Sequence, residues 1–263
     1  MPEPDGESPD GAFAHLAQPG DVVAIVGAGG KTTTMFALAA ALASRGLRVV
    51  TTKSTRIHRP TLARSPRISA GPRSAWSLTL PRLLAEDPVL TVVLDASSER
   101  AWDGVPPEAI DELRQASGAD VVIVEADGAR SRLLKAPAAH EPAMPPNATV
   151  VLPVAALSAV GRPLGPRTVH RPELAALLLG VALGAPLATA HVAALLSSSE
   201  AGLKRVPEGA RVWPVLTRAD AVEPAVLDAL VAELLACPRL AGWVRATGVD
   251  GGWRYRAMPF VHA

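Results

Sequence analysis

The stretch "AIVGAGGKTTTMF", residues 24–36, decides the fold of this chain, because it joins a short apolar run to a helical pattern through a glycine cluster. The apolar residues before Gly27 predict a buried strand, and the alanine- and leucine-rich residues 31–45 predict a helix that ends at Gly46. The N–H groups of a glycine-rich turn and the positive end of a following helix attract phosphate. The sequence therefore predicts a phosphate-binding loop at this junction.

The predicted loop supplies the parts that a bound triphosphate needs. Lys31 stands at the helix start and would neutralise the outer phosphates, and the Thr32 hydroxyl stands where Mg²⁺ is normally held. Ile25, not glycine, lies six residues before Lys31, so the spacing departs from GxxxxGK[ST] and matches the shorter GxxGK[ST][ST] loop of Mur-type ligases. A glycine turn of purely structural purpose is the alternative. The residues predicted to bind nucleotide in this loop are Gly27, Ala28, Gly29, Gly30, Lys31, Thr32 and Thr33.

Two acidic residues leave a second apolar run, "VVIVEADGA", residues 121–129. Ligands bind at the carboxyl edge of open parallel sheets, where we expect Glu125 to hold Mg²⁺ and Asp127 to orient the attacking water or the transferred group. The spacing from Glu125 to Gly128 resembles the DxxG element of GTPases, so Gly128 is expected to sense the outermost phosphate. The alternative is a solvated strand end that carries two carboxylates.

A third motif, "PVLTRAD", residues 214–220, has the layout of a base-reading loop, with TxxD where guanine binders carry NKxD. Asp220 would accept hydrogen bonds from guanine, although Thr217 lacks the amide contacts that asparagine offers. Asp220 is equally expected to cap a helix that starts at Ala221. The motif leaves the choice between ATP and GTP open.

Short β-branched runs alternate with helical patterns along the chain, which predicts an α/β fold with three layers, a mostly parallel sheet covered by helices on both faces. We expect a disordered tail over residues 1–19 and a single nucleotide-binding domain over residues 20–263, with long loops at 53–76 and 127–147. The predicted strands are 22–26, 48–52, 89–96, 120–126, 149–156 and 211–217, and the further predicted helices are 106–117 and 222–236.

Composition excludes several classes of protein. The formal net charge of +1 gives no general attraction for nucleic acid, and the basic segment 53–76 contains one aromatic residue, Trp76, for stacking. A single cysteine, Cys237, and an acidic, proline-rich start predict a cytoplasmic protein. Residues 174–199 carry no Asp, Glu, Lys or Arg, but glycines and a proline interrupt them, which favours two buried helices joined by a turn over a membrane span.

Several segments together resemble the YqeC family of selenium-dependent hydroxylase accessory proteins. They are "VGAGGKTTTMFALA", "VIVEADGARSRLLKAPAAHEP", "LSAVGRPL", "VHRPE" and "VLTRAD", spread over residues 22–220. The resemblance implies a P-loop NTPase-like domain that acts in the maturation of molybdenum hydroxylases with a labile selenium cofactor. Thr217 and the segment "TTKSTRIHRP", residues 51–60, depart from what the resemblance leads us to expect.

Basic and acidic residues in or beside the irregular segments are predicted to contact a substrate or a partner protein. Arg130 and Arg132 are candidates for charge stabilisation, and His140 with His170 and Glu141 meet the ligand chemistry of a metal site. Hydrogen bonds that only pack the loop are the remaining alternative. The residues predicted for this second surface are Lys53, Arg130, Lys135, His140, Glu141, His170 and Arg171.

The motifs together predict Mg²⁺-dependent binding and hydrolysis of ATP or GTP, in the service of selenium-dependent molybdenum hydroxylases. One alternative is a nucleotide-gated scaffold or chaperone for such a hydroxylase, without significant turnover. Another is an amide ligase that uses the short Mur-like loop, for which 263 residues leave little room for further domains. No nucleic acid and no membrane are expected as partners.

Overall fold

The computed structural model describes most of the chain, and the statements below concern the described residues, which are 16–58, 65–94, 96–98, 101–249 and 252–260. Most of the predicted tail, residues 1–15, lies outside them. Leu16 and Ala17 are buried against the core, so the folded domain begins earlier than the expected residue 20.

Fifteen strands and six α-helices form the described part of the chain. The strands are β1 (Val22–Gly27), β2 (Val49–Lys53), β3 (Ile57–His58), β4 (Ile68–Ala70), β5 (Val89–Val93), β6 (Ala96–Ser98), β7 (Ala101–Trp102), β8 (Val121–Glu125), β9 (Leu134–Lys135), β10 (Val150–Ala156), β11 (Val169–His170), β12 (Arg211–Val212), β13 (Val215–Thr217), β14 (Gly242–Val249) and β15 (Gly252–Pro259). The helices are α1 (Lys31–Ser44), α2 (Trp76–Glu86), α3 (Ile110–Ser117), α4 (Pro172–Leu179), α5 (Thr189–Ser197) and α6 (Pro224–Leu235).

The main sheet has ten strands in the order β15-β14-β13-β10-β1-β8-β2-β5-β4, with β12 pairing beside β10. Neighbours along this order are parallel except for the antiparallel hairpin of β14 and β15. The predicted α/β class with a mostly parallel sheet is therefore confirmed. Strand β1 lies at the centre between β10 and β8, so the loop that follows β1 opens at the middle of the sheet.

The apolar pattern of β1 explains why helices cover both faces of the sheet. Ala24 belongs to a core cluster shared with α2, α3, α5 and α6, whereas Ile25 belongs to a second cluster shared with α1. Alternate residues of a strand point to opposite faces, so an uninterrupted apolar strand needs a packed layer on each side. Both layers are present.

Glycines end several of the predicted helices. Gly46 lies two residues after the end of α1 and Gly118 lies directly after α3, and they adopt φ values of 82° and 65°, in the left-handed region that most other residues avoid. The uncharged segment 174–199 contains the end of α4 and all of α5, with Gly180 as the cap between them, as expected for two helices joined by a turn. In the part of the chain that the structure describes, no helix is long and apolar enough to cross a membrane.

Three details of the sheet differ from the sequence prediction. The run 211–217 splits into β12 and β13 around Pro214, because proline has no N–H to donate to a neighbouring strand. The predicted loop 53–76 contains β3 and β4, although residues 59–64 lie outside the described residues. The hairpin of β14 and β15 was not predicted, since its residues do not form a continuous apolar run.

Candidate functional site

The loop after β1 has the conformation that its glycines permit. Gly27, Gly29 and Gly30 adopt positive φ values of 90°, 80° and 147°. A Cβ atom on Gly27 would lie 2.4 Å from the carbonyl oxygen of Val154, and one on Gly29 would lie 2.6 Å from that of Leu133. The loop is therefore packed against its neighbours on the side that holds these absent Cβ atoms. Alanine fits neither position.

Two residues expected to touch the nucleotide instead hold the loop in place. The Thr217 hydroxyl donates to the carbonyl of Gly29 at 2.5 Å, and the Thr217 side chain is buried beside Gly30. The N–H of Ala28 donates to the carbonyl of Val154 at 2.9 Å and is not available to a phosphate. Because both donors are already used, Thr217 and the N–H of Ala28 shape the loop, and the proposed direct contacts to nucleotide lie elsewhere.

Lys31 is the first residue of α1 and its side chain folds back over the loop. Its Nζ donates to the carbonyl of Gly27 at 2.7 Å and lies 3.1 Å from Oδ1 of Asp127. Glu125 contributes a weaker ion pair at 3.9 Å. The first N–H groups of a helix have no acceptor within the helix, and α1 has no capping side chain and no acidic residue in its first turn. The cationic side chain of Lys31 and the uncapped N-terminus of α1 therefore lie together.

Glu125 receives two side chains on the same oxygen. The Thr32 hydroxyl donates to Oε2 of Glu125 at 2.7 Å, and Nζ of Lys53 lies 3.0 Å from that atom. The register explains this meeting, because Glu125 on β8 lies level with Ile25 on β1 and with Lys53 on β2. Thus three neighbouring parallel strands bring the predicted loop, the predicted acid and a second lysine to one edge of the sheet.

Asp127 connects the loop after β1 to the segment that follows β8. Its Oδ2 accepts from the N–H of Gly27 at 3.1 Å and pairs with Nζ of Lys135 at 3.0 Å. Its Oδ1 has the ion pair with Lys31 but no well-aligned hydrogen bond among the described residues, although it is buried. An unsatisfied buried carboxylate oxygen that faces a lysine is a natural acceptor for a water or a substrate proton.

The ion pairs continue away from the loop. Nζ of Lys135 lies 3.1 Å from Oε2 of Glu141 and donates to the carbonyl of Gly128 at 2.7 Å. Glu141 also accepts from the guanidinium of Arg171 and from the N–H of Ala138. Four ion pairs therefore form a continuous network in the order Lys31, Asp127, Lys135, Glu141 and Arg171, which connects residues 140 positions apart.

This network changes the acidity of two side chains. Burial would raise the pKa of Glu141, but the hydrogen bonds from Arg171 and Ala138 and the charge of Lys135 lower it to about 2. Burial lowers the pKa of His170, and the nearby charges of Arg171 and Lys135 lower it further, while Glu141 opposes them. Glu141 is therefore anionic at neutral pH and His170 is neutral.

A cleft of about 680 Å³ collects most of the predicted site residues at this edge. Ten charged side chains line it, seven cationic and three anionic, in a protein whose formal net charge is only +1. We call it the central cleft. Its charged lining residues are Lys31, Lys53, Arg56, Arg130, Arg132, Arg171, Arg218, Glu125, Asp127 and Glu141, and its other lining residues include Gly29, Gly30, Thr32, Thr33, Gly128, His170, Trp253 and Tyr255.

Five predicted residues lie outside the lining of the central cleft, and they are Gly27, Ala28, Lys135, His140 and Asp220. The first three belong to the loop and the ion-pair network described above. His140 is exposed, and its carbonyl accepts from the guanidinium of Arg205 at 3.0 Å. Asp220 accepts from the N–H of Gly248 at 2.9 Å and lies in a short 3₁₀ turn. It caps no helix, because α6 begins only at Pro224, so the expected capping role is wrong.

The structure does not bring histidines together as metal ligands. Within the described ranges, no group of three or more His, Cys, Asp and Glu side chains is placed to hold a metal ion. Glu141 is instead committed to Lys135 and Arg171. The alternative of a metal site built from His140, His170 and Glu141 therefore finds no support.

The lining residues that sequence reasoning missed include two arginines and two aromatic residues. Arg56 and Arg218 each follow a strand of the main sheet, whereas Trp253 and Tyr255 belong to the unpredicted β15. A position just after a buried strand is a usable signal for the two arginines. No local signal identifies the two aromatic residues, because β15 enters the site only through its pairing with β14.

Comparisons with known proteins agree with the resemblance noted from the motifs. A family model described as YqeC protein matches residues 23–173. The curated protein "Uncharacterized protein YqeC" of Escherichia coli strain K12 is 33% identical over 205 residues, which are 73% of this chain and 74% of that protein. Among solved structures, chloroplast FtsY from Physcomitrella patens aligns over 96% of this chain and 70% of its own, with 15% identity and a TM-score of 0.37. A likeness that weak says nothing about the site.

Proposed function

This chain belongs to the YqeC protein family, and we propose that its central cleft binds Mg²⁺ together with ATP or GTP and hydrolyses the nucleotide. One observation carries the proposal: Lys31, the Thr32 hydroxyl and Glu125 converge beneath a glycine loop at the ends of adjacent parallel strands. A loop that only made a turn would not need a buried lysine beside two buried acids, which is costly to bury.

The oxygen atoms at this point fit Mg²⁺. Magnesium in nucleotide sites takes one or two protein oxygens and completes its octahedron with phosphate oxygens and water. Thr32 Oγ1 and Glu125 Oε2 are 2.7 Å apart and supply such a pair. Lys53 already places a positive charge 3.0 Å from that carboxylate oxygen, which supports the placement of a cation there. The bound ion would neutralise charge on the outer phosphates.

The protein's own residues would act by position and charge. The N–H groups at the start of α1 would receive phosphate oxygens, and Lys31 would leave Asp127 to pair with the outer phosphates. Asp127, freed of that lysine, would accept a hydrogen bond from the attacking water through Oδ1. Gly128, exposed beside it, would meet the outermost phosphate with its backbone.

We further propose that this reaction serves the maturation of selenium-dependent molybdenum hydroxylases in the cytoplasm. The support is the family resemblance of the segments between residues 22 and 220, which includes the loop, the acids and the residues of the ion-pair network. The surface presented to a hydroxylase or its cofactor would comprise the cleft residues Lys53, Arg130, His170 and Arg171.

Direct titration tests nucleotide binding. Wild-type protein with Mg²⁺ is titrated with ATP and with GTP by calorimetry, and phosphate release is followed with whichever nucleotide binds. We expect Lys31→Ala to weaken binding by about a hundredfold, because a phosphate loses its ammonium partner. Equal affinity and equal phosphate release for both proteins would contradict the proposal.

Asp220 tests the choice of base. If it reads guanine, Asp220→Ala is expected to weaken GTP binding by about tenfold and to leave ATP binding unchanged. Gly248→Ala is the matched control, since a Cβ there would lie 3.6 Å from Asp220 in ordinary contact. The same loss for both nucleotides would assign Asp220 to support of β14 alone.

A second candidate function is a nucleotide-gated scaffold without significant turnover, and Asp127 favours it. Asp127 contacts the loop through Gly27, and it contacts the segment 127–147 through Lys135. Withdrawal of Lys31 toward a phosphate would alter this network and change the surface that a partner reads. Protection of residues 127–147 from protease by a non-hydrolysable nucleotide, with no phosphate release from natural nucleotide, would favour the scaffold over the enzyme.

A further inference from the structure

The central cleft carries more positive charge than one bound nucleotide would neutralise. The cleft has an excess of four cationic side chains over anionic ones. A nucleoside triphosphate bound with Mg²⁺ carries a charge of about −2 at neutral pH. A net charge of about +2 therefore remains in a partly enclosed site, where unpaired charge is costly. A phosphomonoester, with a charge of about −1.5 to −2, matches that remainder.

The backbone that lines the central cleft is held, at several positions, in conformations that residues other than glycine usually avoid. Five non-glycine residues in the described chain have positive φ, and four of them line the central cleft: Arg130 (46°), Ser131 (58°), Arg171 (61°) and Arg218 (54°). Such conformations are energetically costly, and the strain that they store collects at ligand sites. Three of the four are arginines, whose planar fork fits phosphate oxygens.

Two neighbouring arginines are fixed by other protein groups. Glu141 accepts from Arg171, and the side chain of Arg171 is only 27% exposed. Arg132 donates to the carbonyls of Pro166 and Arg130, which holds its guanidinium in the lining of the cleft. Arginines restrained in this way lose little side-chain freedom when an anion arrives.

The position of Arg171 is distinct from the proposed position of the outer phosphates beside Lys31. Asp127, Lys135 and Glu141 intervene between Lys31 and Arg171 as successive members of the ion-pair network. The buried ammonium of Lys135 contacts Asp127, Glu141 and the carbonyl of Gly128. It therefore lies between the acid that pairs with Lys31 and the acid that pairs with Arg171. Arg218 follows β13, on the other side of the glycine loop, where it would contact the nucleoside instead of this subsite.

We propose that Arg130, Arg132 and Arg171 form a second anion subsite that binds the phosphate group of a phosphomonoester substrate while nucleotide occupies the loop after β1. His170 lies beside Arg171 in the lining and, as a neutral imidazole, offers a hydrogen bond to the same group. The inference rests on the proposed function for the occupant of the loop. The inference adds to the proposed function that the nucleotide-dependent reaction acts on a second molecule, which carries a phosphate group.

Methyl phosphate is the probe for this subsite, titrated into protein saturated with Mg²⁺ and a non-hydrolysable triphosphate and followed by ³¹P NMR. We expect it to bind the loaded protein, and we expect Arg171→Gln and Arg130→Gln each to weaken that binding by about tenfold. Arg130 is exposed, so its variant tests the subsite even if Arg171→Gln destabilises the fold. Arg171→Lys keeps the charge without the fork and should bind with intermediate affinity.

Arg254→Gln is the matched control, because it removes the same charge from exposed β15 without touching the cleft that Trp253 and Tyr255 line. Displacement of methyl phosphate by the nucleotide analogue would overturn the proposal, as would losses no larger than that of the control. If acetate binds as tightly as methyl phosphate, the subsite does not select a phosphomonoester over a carboxylate, and the proposed class of ligand is overturned. If inorganic phosphate binds and methyl phosphate does not, the subsite holds released phosphate and not a phosphomonoester, and the proposal is overturned.

Failure of the two proposals can be told apart. If the wild-type protein binds no nucleotide, the proposed function fails, and methyl phosphate is then titrated into nucleotide-free Lys31→Ala, which lacks the lysine of the loop. Arginine-dependent binding in that variant would support the subsite by itself. If nucleotide binds and methyl phosphate does not, the subsite alone is overturned.

Discussion

Nζ of Lys31 lies 3.1 Å from Oδ1 of Asp127, and both side chains are at least 95% buried. The lysine expected to neutralise phosphates is thus paired with the acid expected to act beside them. Under the proposed function, Lys31 would exchange one anionic partner for another when a triphosphate binds. Asp127 would retain its contacts to Gly27 and Lys135 during that exchange.

Asp127→Asn separates these two roles. Asparagine still accepts from Gly27, but Lys31 and Lys135 lose a counter-charge, so we expect the free energy of unfolding to fall by about 3 kcal/mol. Lys31 no longer has to leave a carboxylate, so nucleotide affinity should equal or exceed that of the wild type, while hydrolysis falls about a hundredfold. Calorimetry and phosphate release measure the two effects. Loss of binding in a folded variant would contradict this division of roles.

Gly29→Ala tests the packing of the loop. A Cβ at Gly29 would lie 2.6 Å from the carbonyl oxygen of Leu133, and φ is 80°, so the variant should lose nucleotide binding and about 1–3 kcal/mol of stability. Gly46→Ala is the control, because Gly46 has a φ of 82° and no atom within 4 Å of its absent Cβ. It should lose about 1 kcal/mol and keep its nucleotide affinity. Equal affinities for the two variants would show that the loop shape is unimportant.

Thr32→Ala tests the metal ligands. We expect Mg²⁺ to tighten nucleotide binding in the wild type and to do so about tenfold less in Thr32→Ala, because one ligand oxygen is lost. Thr32→Ser keeps the hydroxyl and should behave as the wild type. Glu125→Gln should match the effect of Thr32→Ala, and the double variant should add little to either, since both residues act on one ion. Titrations with and without EDTA give the values. An unchanged Mg²⁺ dependence would remove Thr32 from the site.

Glu141 makes the free energy of unfolding depend on pH in the acidic range. Its folded pKa of about 2 lies below the ordinary value of 4.5, so its ion pairs stabilise the fold above pH 4.5 and lose that effect as the pH falls toward 2. Because solvent partly screens these charges, the contribution is about 1–2 kcal/mol. We therefore expect Glu141→Gln to be less stable than the wild type at pH 6 and nearly equal to it at pH 2. Urea unfolding over this range measures the difference, and parallel curves for the two proteins would refute the assignment.

Most helices, though not α2, and the central strands could be predicted from the sequence because their signals are local. The apolar runs of β1 and β8 and the glycines after α1 and α3 mark buried strands and helix ends without reference to the rest of the chain. The same local rule failed where proline divides 211–217 and where β14 and β15 pair without a continuous apolar run.

The sequence by itself determined the glycine loop, the helix start behind it and the acids at the end of a buried strand. Only the tertiary structure decided that Lys53 shares an oxygen of Glu125 with Thr32, that Thr217 supports the loop, and that ion pairs extend from Lys31 to Arg171. The physical reason is that backbone conformation and burial periodicity depend on neighbours in the chain. Ion pairs and hydrogen bonds between residues 30 to 188 positions apart depend on the order of strands in the sheet, which the packing of the whole domain sets.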